Sequence, residues 1–137
     1  MKKIELQATL ENTTELLTIL EKELEEAGCS MKEQMKISVA VEEIFVNIAN
    51  YAYGDSVGNA EIDIDVDNDK KSIVILFKDC GTPYNPLEHE DPDTTLSADE
   101  REIGGLGILI VKKSMDEVSY QYKDGKNILT ISYTWSK

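Results

Sequence analysis

Apolar residues recur at helical spacing in the early part of the chain. Leucines at every third or fourth position between 16 and 24 predict an amphipathic helix. Asn12 and Glu15 are spaced as a capping box at its start, and Gly28 is a residue type that commonly ends helices. The pattern therefore predicts a first helix between positions 12 and 28.

A second and longer helix is predicted to follow almost at once. Ser30 and Glu33 form another capping box, and the helical spacing continues to about Tyr53, before glycine and aspartate at positions 54–55. The helix is therefore predicted to be long and buried along one stripe. That stripe consists of Ile37, Ala40, Val41, Ile44, Phe45, Ile48 and Ala52.

Alternating polarity predicts the strands. Between positions 60 and 66 the even positions are apolar, while Glu61, Asp63 and Asp65 occupy the odd positions. The acidic side of this strand is therefore expected to face solvent. The predicted strands are 3–8, 60–66, 73–77, 118–122 and 128–135, with turns at 68–71 and at Asp124-Gly125.

A long polar segment separates the predicted central and final hairpins. Positions 85–103 contain two prolines and seven acidic residues, and a loop of this length in a compact domain is usually a lid or a binding loop. Glycine-rich positions 104–107 then lead into a helix that reaches about Met115. Residues 1–137 are expected to form one α+β domain. We predict a two-layer α/β sandwich, with a mixed, mostly antiparallel sheet covered on one face by helices.

The charge balance argues against several kinds of partner. The chain has 14 basic and 27 acidic residues, a formal net charge of −13, which repels phosphate backbones and anionic lipids. Neither direct nucleic-acid binding nor membrane association is expected. The N-terminus lacks the apolar block of a signal peptide, so a cytoplasmic location is expected. Cys29 and Cys80 form no CxxC pair and are expected to be free thiols.

Polar residues at the edge of the long helix form the first candidate site. Glu43, Asn47 and Asn50 fall on one stripe beside the apolar face, whereas Glu42 is rotated about 100° from Glu43. A carboxylate can accept a proton from an attacking hydroxyl group. A carboxamide oxygen suits Mg²⁺, which prefers oxygen ligands. Taken alone, the stripe favours an ordinary solvated helix edge over a site.

Two glycine-containing segments are further candidates. Asp79 directly follows a predicted buried strand, and Gly81 follows it closely. The carboxylate can accept a hydrogen bond from the exocyclic amine of adenine, and the glycine lets a flat ring approach the backbone. Backbone amides at 104–107, at a helix start, can hold phosphate oxygens. Taken alone, the Asp79 segment is better explained as an ordinary strand-to-loop exit. The glycine cluster taken alone is weak evidence, since a flexible hinge has the same composition.

In this order and spacing, the three segments resemble the boxes of the ATP-binding domain shared by gyrase, Hsp90, histidine kinases and MutL, the Bergerat-type fold. Glu43 and Asn47 resemble its N box, Asp79 and Gly81 its first glycine box, and residues 105–107 its second. The anti-sigma-factor serine kinase branch is the most similar. The stretches that carry this closer resemblance are 40–43, 79–86, 104–108 and 115–118, so it spans nearly the whole chain.

The resemblance implies a role for each matching residue. Asn47 would bind the Mg²⁺ that bridges the phosphates of ATP, and Glu43 would be the general base. Asp79 would recognise adenine with Gly81 beside it, and Thr130 would support the contact between Asp79 and adenine. The implied nucleotide-binding residues are Asn47, Asp79, Gly81, Arg101, Gly104, Gly105, Leu106, Gly107 and Thr130.

Residues 85–103 would form the lid over ATP. Arg101 is the only lysine or arginine in this loop and is the natural phosphate partner; an ordinary surface arginine is the alternative. The first predicted helix departs from the family pattern. Anti-sigma factors commonly carry a partner-reading arginine there, whereas residues 12–27 hold five glutamates and Lys22 as their only cation.

The predicted function is that of an anti-sigma-factor-type serine/threonine protein kinase. It would bind Mg-ATP and transfer the γ-phosphate to a serine of a small antagonist protein. Transfer would release or recapture a third protein, classically a sigma factor. The resemblance also leaves a homodimer open. The alternative is a non-catalytic module whose ATP-dependent lid gates a protein partner. A histidine kinase or a gyrase-type ATPase is not favoured, because the 137 residues show no phospho-histidine helix pair and no further domain.

Overall fold

The computed structural model describes residues 1–53, 56–88 and 105–135. Three α-helices, two short 3-10 helices and five strands account for most of these residues. In chain order they are β1 (Lys2–Gln7), a 3-10 helix (Leu10–Asn12), α1 (Thr13–Glu26), α2 (Met31–Tyr51), β2 (Asn59–Asp67), β3 (Ser72–Asp79), a 3-10 helix (Pro86–Glu88), α3 (Gly105–Ser114), β4 (Glu117–Lys123) and β5 (Lys126–Thr134).

The five strands form one sheet in the order β1-β2-β3-β5-β4, and all four pairings are antiparallel. Alternate residues of β3 and β5 are buried beneath the helices. In the β3–β5 pair, Ile75 lies opposite Ile131 and Phe77 lies opposite Leu129, so the buried residues share one face. The predicted α+β sandwich is confirmed.

Helix α2 supplies most of the helical side of the core. All seven residues of its predicted stripe are buried. The Ser30 side chain caps the helix by accepting a hydrogen bond from the Glu33 amide at 3.3 Å. The Glu33 carboxylate does not complete the capping box with Ser30 in any described hydrogen bond; it accepts one from the Tyr133 hydroxyl on β5. The start of α2 is thereby attached to the sheet.

The capping box predicted at Asn12 is wrong. Asn12 has helical backbone angles (φ −83°, ψ −4°) and makes no side-chain capping hydrogen bond, because it still belongs to the preceding 3-10 turn. An N-cap residue needs an extended backbone to aim its side chain at the first free amides. The Asn12 carboxamide instead donates to the Gln7 carbonyl at 2.9 Å.

The alternation predicted that the whole acidic side of β2 faces solvent, and this prediction is wrong for Asp63. Asp63 is buried and pairs with Lys78 of β3 at 2.9 Å. Asp63 lies opposite Leu76, so Lys78 is its diagonal neighbour across the strand pair. This ion pair raises the pKa of Lys78 above its ordinary value, against a smaller lowering by burial. Within residues 1–53, 56–88 and 105–135, no helix combines the length and the hydrophobicity that a membrane span requires.

Gly28 ends α1 as predicted, in a left-handed conformation with φ +78°. The Cys29 amide donates to the Leu24 carbonyl, and the Gly28 amide donates to the Glu25 carbonyl, both at 3.0 Å. These are the two hydrogen bonds of a Schellman motif, in which a left-handed residue follows the helix.

We therefore expect Gly28→Ala to lower the free energy of unfolding by about 1–2 kcal/mol, the cost of a left-handed L-residue. A Cβ atom at Gly28 would meet no other atom within 4 Å, so the loss would reflect backbone conformation and not a clash. Urea denaturation measures it. Gly28→Asn is the control and should lose less, because asparagine tolerates this conformation; equal stability of all three proteins would contradict the motif.

Candidate functional site

A cleft opens between α2 and the ends of β3 and β5. The exposed surface of its lining is mainly apolar, and carboxylate, carboxamide and hydroxyl groups lie among the apolar side chains. Such a composition suits a flat, largely apolar ligand that is oriented by a small number of hydrogen bonds. The lining residues are Ile44, Asn47, Ile48, Tyr51, Ala52, Phe77, Asp79, Thr82, Tyr84, Pro86, Tyr120, Asn127 and Leu129.

Asp79 is the only charged side chain among the described residues of the cleft lining, and it is 6% exposed. Its Oδ1 atom accepts hydrogen bonds from the Gly81 amide and from Nδ2 of Asn127, both at 2.9 Å. Within the described part of the chain, no donor is bonded to Oδ2. Among the described residues, the fully buried side-chain atoms that lack a hydrogen-bond partner are Thr13 Oγ1 and Ser38 Oγ. Oδ2 of Asp79 also lacks a partner but is not one of these atoms, so it is accessible to solvent.

The side chain that positions Asp79 is Asn127 of β5. The two residues lie opposite each other in the β3–β5 pair. Besides Asp79, the Asn127 carboxamide donates to the Thr82 carbonyl at 3.0 Å and accepts from the Tyr84 amide at 3.1 Å. It also accepts from the Tyr120 hydroxyl. Asn127 therefore joins β4, β5 and the segment after β3 around one buried carboxylate.

Thr130, the residue predicted to support Asp79, is in the wrong place for that role. It lies opposite Leu76 in the β3–β5 pair, and directly opposed residues point to the same face. Asp79 belongs to the other face, with Phe77. Asn127, which lies opposite Asp79, makes the supporting contact that was predicted for Thr130. Sequence reasoning missed it because the last strand was predicted to start at 128, although Asn127 continues the alternation of buried residues along β5.

Gly81 is required by a close backbone contact with the end of α2. A Cβ atom there would lie 2.8 Å from Cβ of Ala52 and closer still to the Ala52 carbonyl group. That carbonyl also accepts a hydrogen bond from the Thr82 amide at 2.9 Å. The glycine was predicted to make room for a ligand ring; the contact that the structure shows is with α2.

Tyr53 holds the other side of the same segment. Its hydroxyl donates to the Asn59 carbonyl at 2.5 Å and accepts from the Cys80 amide at 2.9 Å. Burial raises the pKa of Tyr53; the Cys80 amide opposes this, and the charge of Asp79 adds to it. The hydroxyl is therefore protonated at neutral pH and can keep both hydrogen bonds.

The polar edge of α2 meets the start of α3. Asn47 lines the cleft, and Glu43, one turn earlier on the same helix, is half-buried while Glu42 is exposed. A Cβ atom at Gly107 would lie 3.1 Å from the Glu43 carboxyl carbon and closer to Oε2. The structure therefore brings the predicted N box against the second glycine box through Glu43 and Gly107.

The chemistry of the cleft fits a magnesium ion that arrives with a nucleotide. Asn47 offers one carboxamide oxygen. The described residues contain no group of three His, Cys, Asp or Glu side chains that could hold a metal ion. Mg²⁺ is usually held by one or two protein oxygens, water and substrate phosphates, and this donor set agrees with that arrangement.

Part of the predicted site lies outside the described residues. Arg101, Gly104 and most of the predicted lid belong to that part. Gly105 begins α3, and nothing is described for the side chain of Leu106. At the start of the predicted lid, Asn85 accepts a hydrogen bond from the Leu87 amide at 2.9 Å. Pro86, between them, lines the cleft.

These features define an ATP-binding domain of one known class. The profile of the histidine kinase-like ATPase domain matches residues 6–133. The chain belongs to that family. The match includes every element from the first 3-10 helix to β4, together with most of β5 and the last two residues of β1.

Two curated relatives are named as serine or serine/threonine protein kinases, the activity that the resemblance of the motifs implied. The serine/threonine-protein kinase BtrW of Bordetella bronchiseptica is 26% identical over 130 residues, or 94% of this chain and 90% of BtrW. The serine-protein kinase RsbW of Listeria monocytogenes is 25% identical over 112 residues, or 78% of this chain and 70% of RsbW.

A solved structure agrees with the fold. The structure of the RsbU and RsbW domains of a Mycobacterium tuberculosis protein superposes with a TM-score of 0.67 at 14% identity. The match covers 98% of this chain but only 32% of the solved chain, so our chain spans about a third of that chain. At this identity the likeness concerns the fold alone.

The two glycines of the site should respond differently to alanine. Gly81→Ala should lower the free energy of unfolding by about 1–3 kcal/mol, the usual cost of overpacking, because its Cβ would overlap with backbone atoms of Ala52. Gly107→Ala should cost much less, because the overlapping atom ends the flexible Glu43 side chain. Thermal unfolding compares them; equal losses would contradict the packing described for Gly81.

Proposed function

We propose that this chain is a serine/threonine protein kinase of the anti-sigma-factor type. It binds Mg-ATP in the cleft and transfers the γ-phosphate to a serine of a small antagonist protein. The observation that carries the proposal is the Asp79 carboxylate, which is buried and held through Oδ1 while Oδ2 has no protein donor among the described residues. The kinase names of the two curated relatives support the same reaction.

Asp79 provides adenine recognition. A carboxylate is an acceptor without a donor, so Oδ2 complements the exocyclic amine of adenine. Asn127 and the Gly81 amide keep the carboxylate in place before the base arrives. The apolar cleft floor, which includes Ile48 and Leu129, covers the faces of the ring.

The phosphates extend from the base toward Asn47 and Glu43. Asn47 would hold Mg²⁺, which supplies charge neutralisation to the phosphates when it is bound. Backbone amides at the start of α3, close to Gly107, would donate hydrogen bonds to phosphate oxygens. Of the predicted phosphate partners, Arg101 and Gly104 stay predictions, because they lie outside the described residues.

Glu43 is the proposed general base. The serine hydroxyl oxygen of the substrate protein attacks the γ-phosphorus, and the bond from that phosphorus to the oxygen that bridges to the β-phosphate breaks. The products are phosphoserine and ADP, and the hydroxyl proton passes to the Glu43 carboxylate. Gly107 leaves room for this carboxylate at the start of α3.

Transfer would control a third protein in a partner-switching pathway, and the resemblance to the anti-sigma-factor kinases makes a sigma factor the candidate for that protein. The described surface of α1 is acidic: Lys22 is exposed among five glutamates between positions 12 and 27. A sigma factor that binds this acidic helix would need a basic surface. A sigma factor that is recognised by an arginine of the first helix would need an acidic one. Radiolabelled ATP incubated with candidate antagonist proteins tests the transfer itself.

Asp79→Asn tests adenine recognition. It should weaken ATP binding by about 1–3 kcal/mol, or roughly 5- to 150-fold in Kd, because a carboxamide NH₂ would face the donor of adenine. In the unmodified protein, GTP should bind more weakly than ATP, because its carbonyl oxygen would face Oδ2.

Calorimetry measures both comparisons, and Asp65→Asn, at an exposed position of β2, is the matched control. Equal affinity of the unmodified protein for ATP and GTP would remove Asp79 from base recognition. A weakened Asp65→Asn variant would point to a loss of overall charge as the cause.

Glu43→Gln and Glu42→Gln are adjacent and chemically identical changes. Glu43→Gln keeps the shape but cannot take a proton, so we expect near-normal ATP binding and a loss of phosphotransfer of about 10²–10⁴-fold. Glu42 is exposed and rotated about 100° from Glu43, so Glu42→Gln should be nearly silent. The measurement is single-turnover transfer from radiolabelled ATP.

Two results would overturn this assignment. If Glu42→Gln is the inactive variant, the polar edge of α2 has been misassigned. If neither change affects transfer and ATP still alters partner binding, the protein is a non-catalytic module that is gated by ATP.

A further inference from the structure

An apolar groove lies between the exposed sides of α2 and α3. Met35 and Val39 line it from α2, and Ile110 and Ser114 line it from α3. The first three are 62%, 41% and 38% exposed, and Met31, which is 66% exposed, lies one turn before Met35. Single exposed apolar side chains are ordinary on a folded domain, whereas a contiguous group marks an interaction site.

The charges at this groove are opposite to the charge of the whole chain. Among the described residues, the charged side chains that line it are Lys32 and Lys36, although the chain has a net charge of −13. Nζ of Lys36 lies 5.8 Å from the ring centroid of Tyr133. This cation–π contact keeps the Lys36 ammonium group on the α2 side of the groove. A complementary surface would have apolar side chains flanked by carboxylates.

The groove leads to the proposed catalytic carboxylate. Val39 lies one turn before Glu43 on α2, and Ile110 lies one turn after Gly107 on α3. Glu43 and Gly107 are in contact, so the two helices run antiparallel with the groove between them. Met35 lies about 12 Å from Glu43 along the helix axis, and a bound segment would therefore end beside the site of transfer.

We propose that this groove docks the protein substrate, through an amphipathic helix whose apolar face is flanked by aspartate or glutamate. Apolar helices commonly bind such grooves through residues spaced by one turn. The inference rests on the proposed kinase function. A second copy of this chain is a poorer occupant, because a two-fold interface at the groove would gather Lys32 and Lys36 of both copies in one interface without carboxylates from the groove to balance them.

Met35→Glu tests the apolar part of the groove. The substrate in the assay is the antagonist protein that the unmodified chain phosphorylates. Met35→Glu should raise the KM for that protein about tenfold or more, because docking would bury an unpaired carboxylate. It should leave kcat and the Kd for ATP nearly unchanged. Leu10→Glu is the control, since Leu10 is 57% exposed and lies outside the groove.

Lys32→Glu tests the basic part of the groove. This reversal should also raise the KM for the antagonist protein, and the effect should shrink as the salt concentration rises, because exposed charges are screened. No change in KM at low salt would contradict the acidic character proposed for the docked helix.

The outcomes separate the groove from the kinase. Equal KM values for Met35→Glu and Leu10→Glu, with transfer intact, would overturn the groove and leave the kinase standing. A change in the sedimentation of Met35→Glu alone would make the groove an interface between copies and would also overturn the proposal.

If the unmodified chain binds an antagonist protein but transfers no phosphate, the kinase proposal fails. Hydrogen exchange then decides the groove: protection of 31–39 and 110–114 on binding supports docking, and its absence contradicts it.

Discussion

The hydrogen bonds that hold the Asp79 carboxylate organise the whole cleft. Burying a charged group is costly unless it is hydrogen-bonded, and this carboxylate is buried at the end of β3. Asn127 and the Gly81 amide compensate one of its oxygens. The same Asn127 side chain binds the backbone of Thr82 and Tyr84. Any change in the β3–β5 register would separate Asp79 from Asn127 and dismantle the segment that forms the cleft wall.

Helix α2 connects the core, the cleft and the proposed docking groove. Its apolar stripe is buried against the sheet, and its carboxyl-terminal end receives the close contact of Gly81. Its polar edge carries Asn47 toward the cleft and Glu43 toward Gly107. Because one rigid helix carries all of these groups, nucleotide and docked protein would be aligned by the helix itself.

Much of this arrangement could be predicted from local patterns. Helical and alternating periodicity predicted the helices and strands, because burial on one face depends on periods that are visible in the sequence. The positions of Glu43 and Asn47 on one edge of α2 followed from helix geometry. Gly28 was recognisable because few other residues adopt its left-handed conformation.

The wrong predictions concern residues whose conformation or burial is determined by tertiary contacts. Asn12 had the right spacing for a cap, but the preceding 3-10 turn had already fixed its backbone. Asp63 followed a polar alternation, yet Lys78 of the neighbouring strand buries it. Thr130 was assigned to support Asp79 from the family resemblance. The pairing across the sheet places Asn127 opposite Asp79 instead, and local sequence does not contain this register.

The most direct measurement of the central claim is a calorimetric titration of the unmodified chain with ATP, with and without Mg²⁺. The structure has one buried carboxylate with a free oxygen beside an apolar floor and a carboxamide. We therefore expect saturable binding of ATP that is stronger when Mg²⁺ is present. The absence of binding at millimolar ATP in the presence of Mg²⁺ would contradict both the nucleotide site and the function built on it.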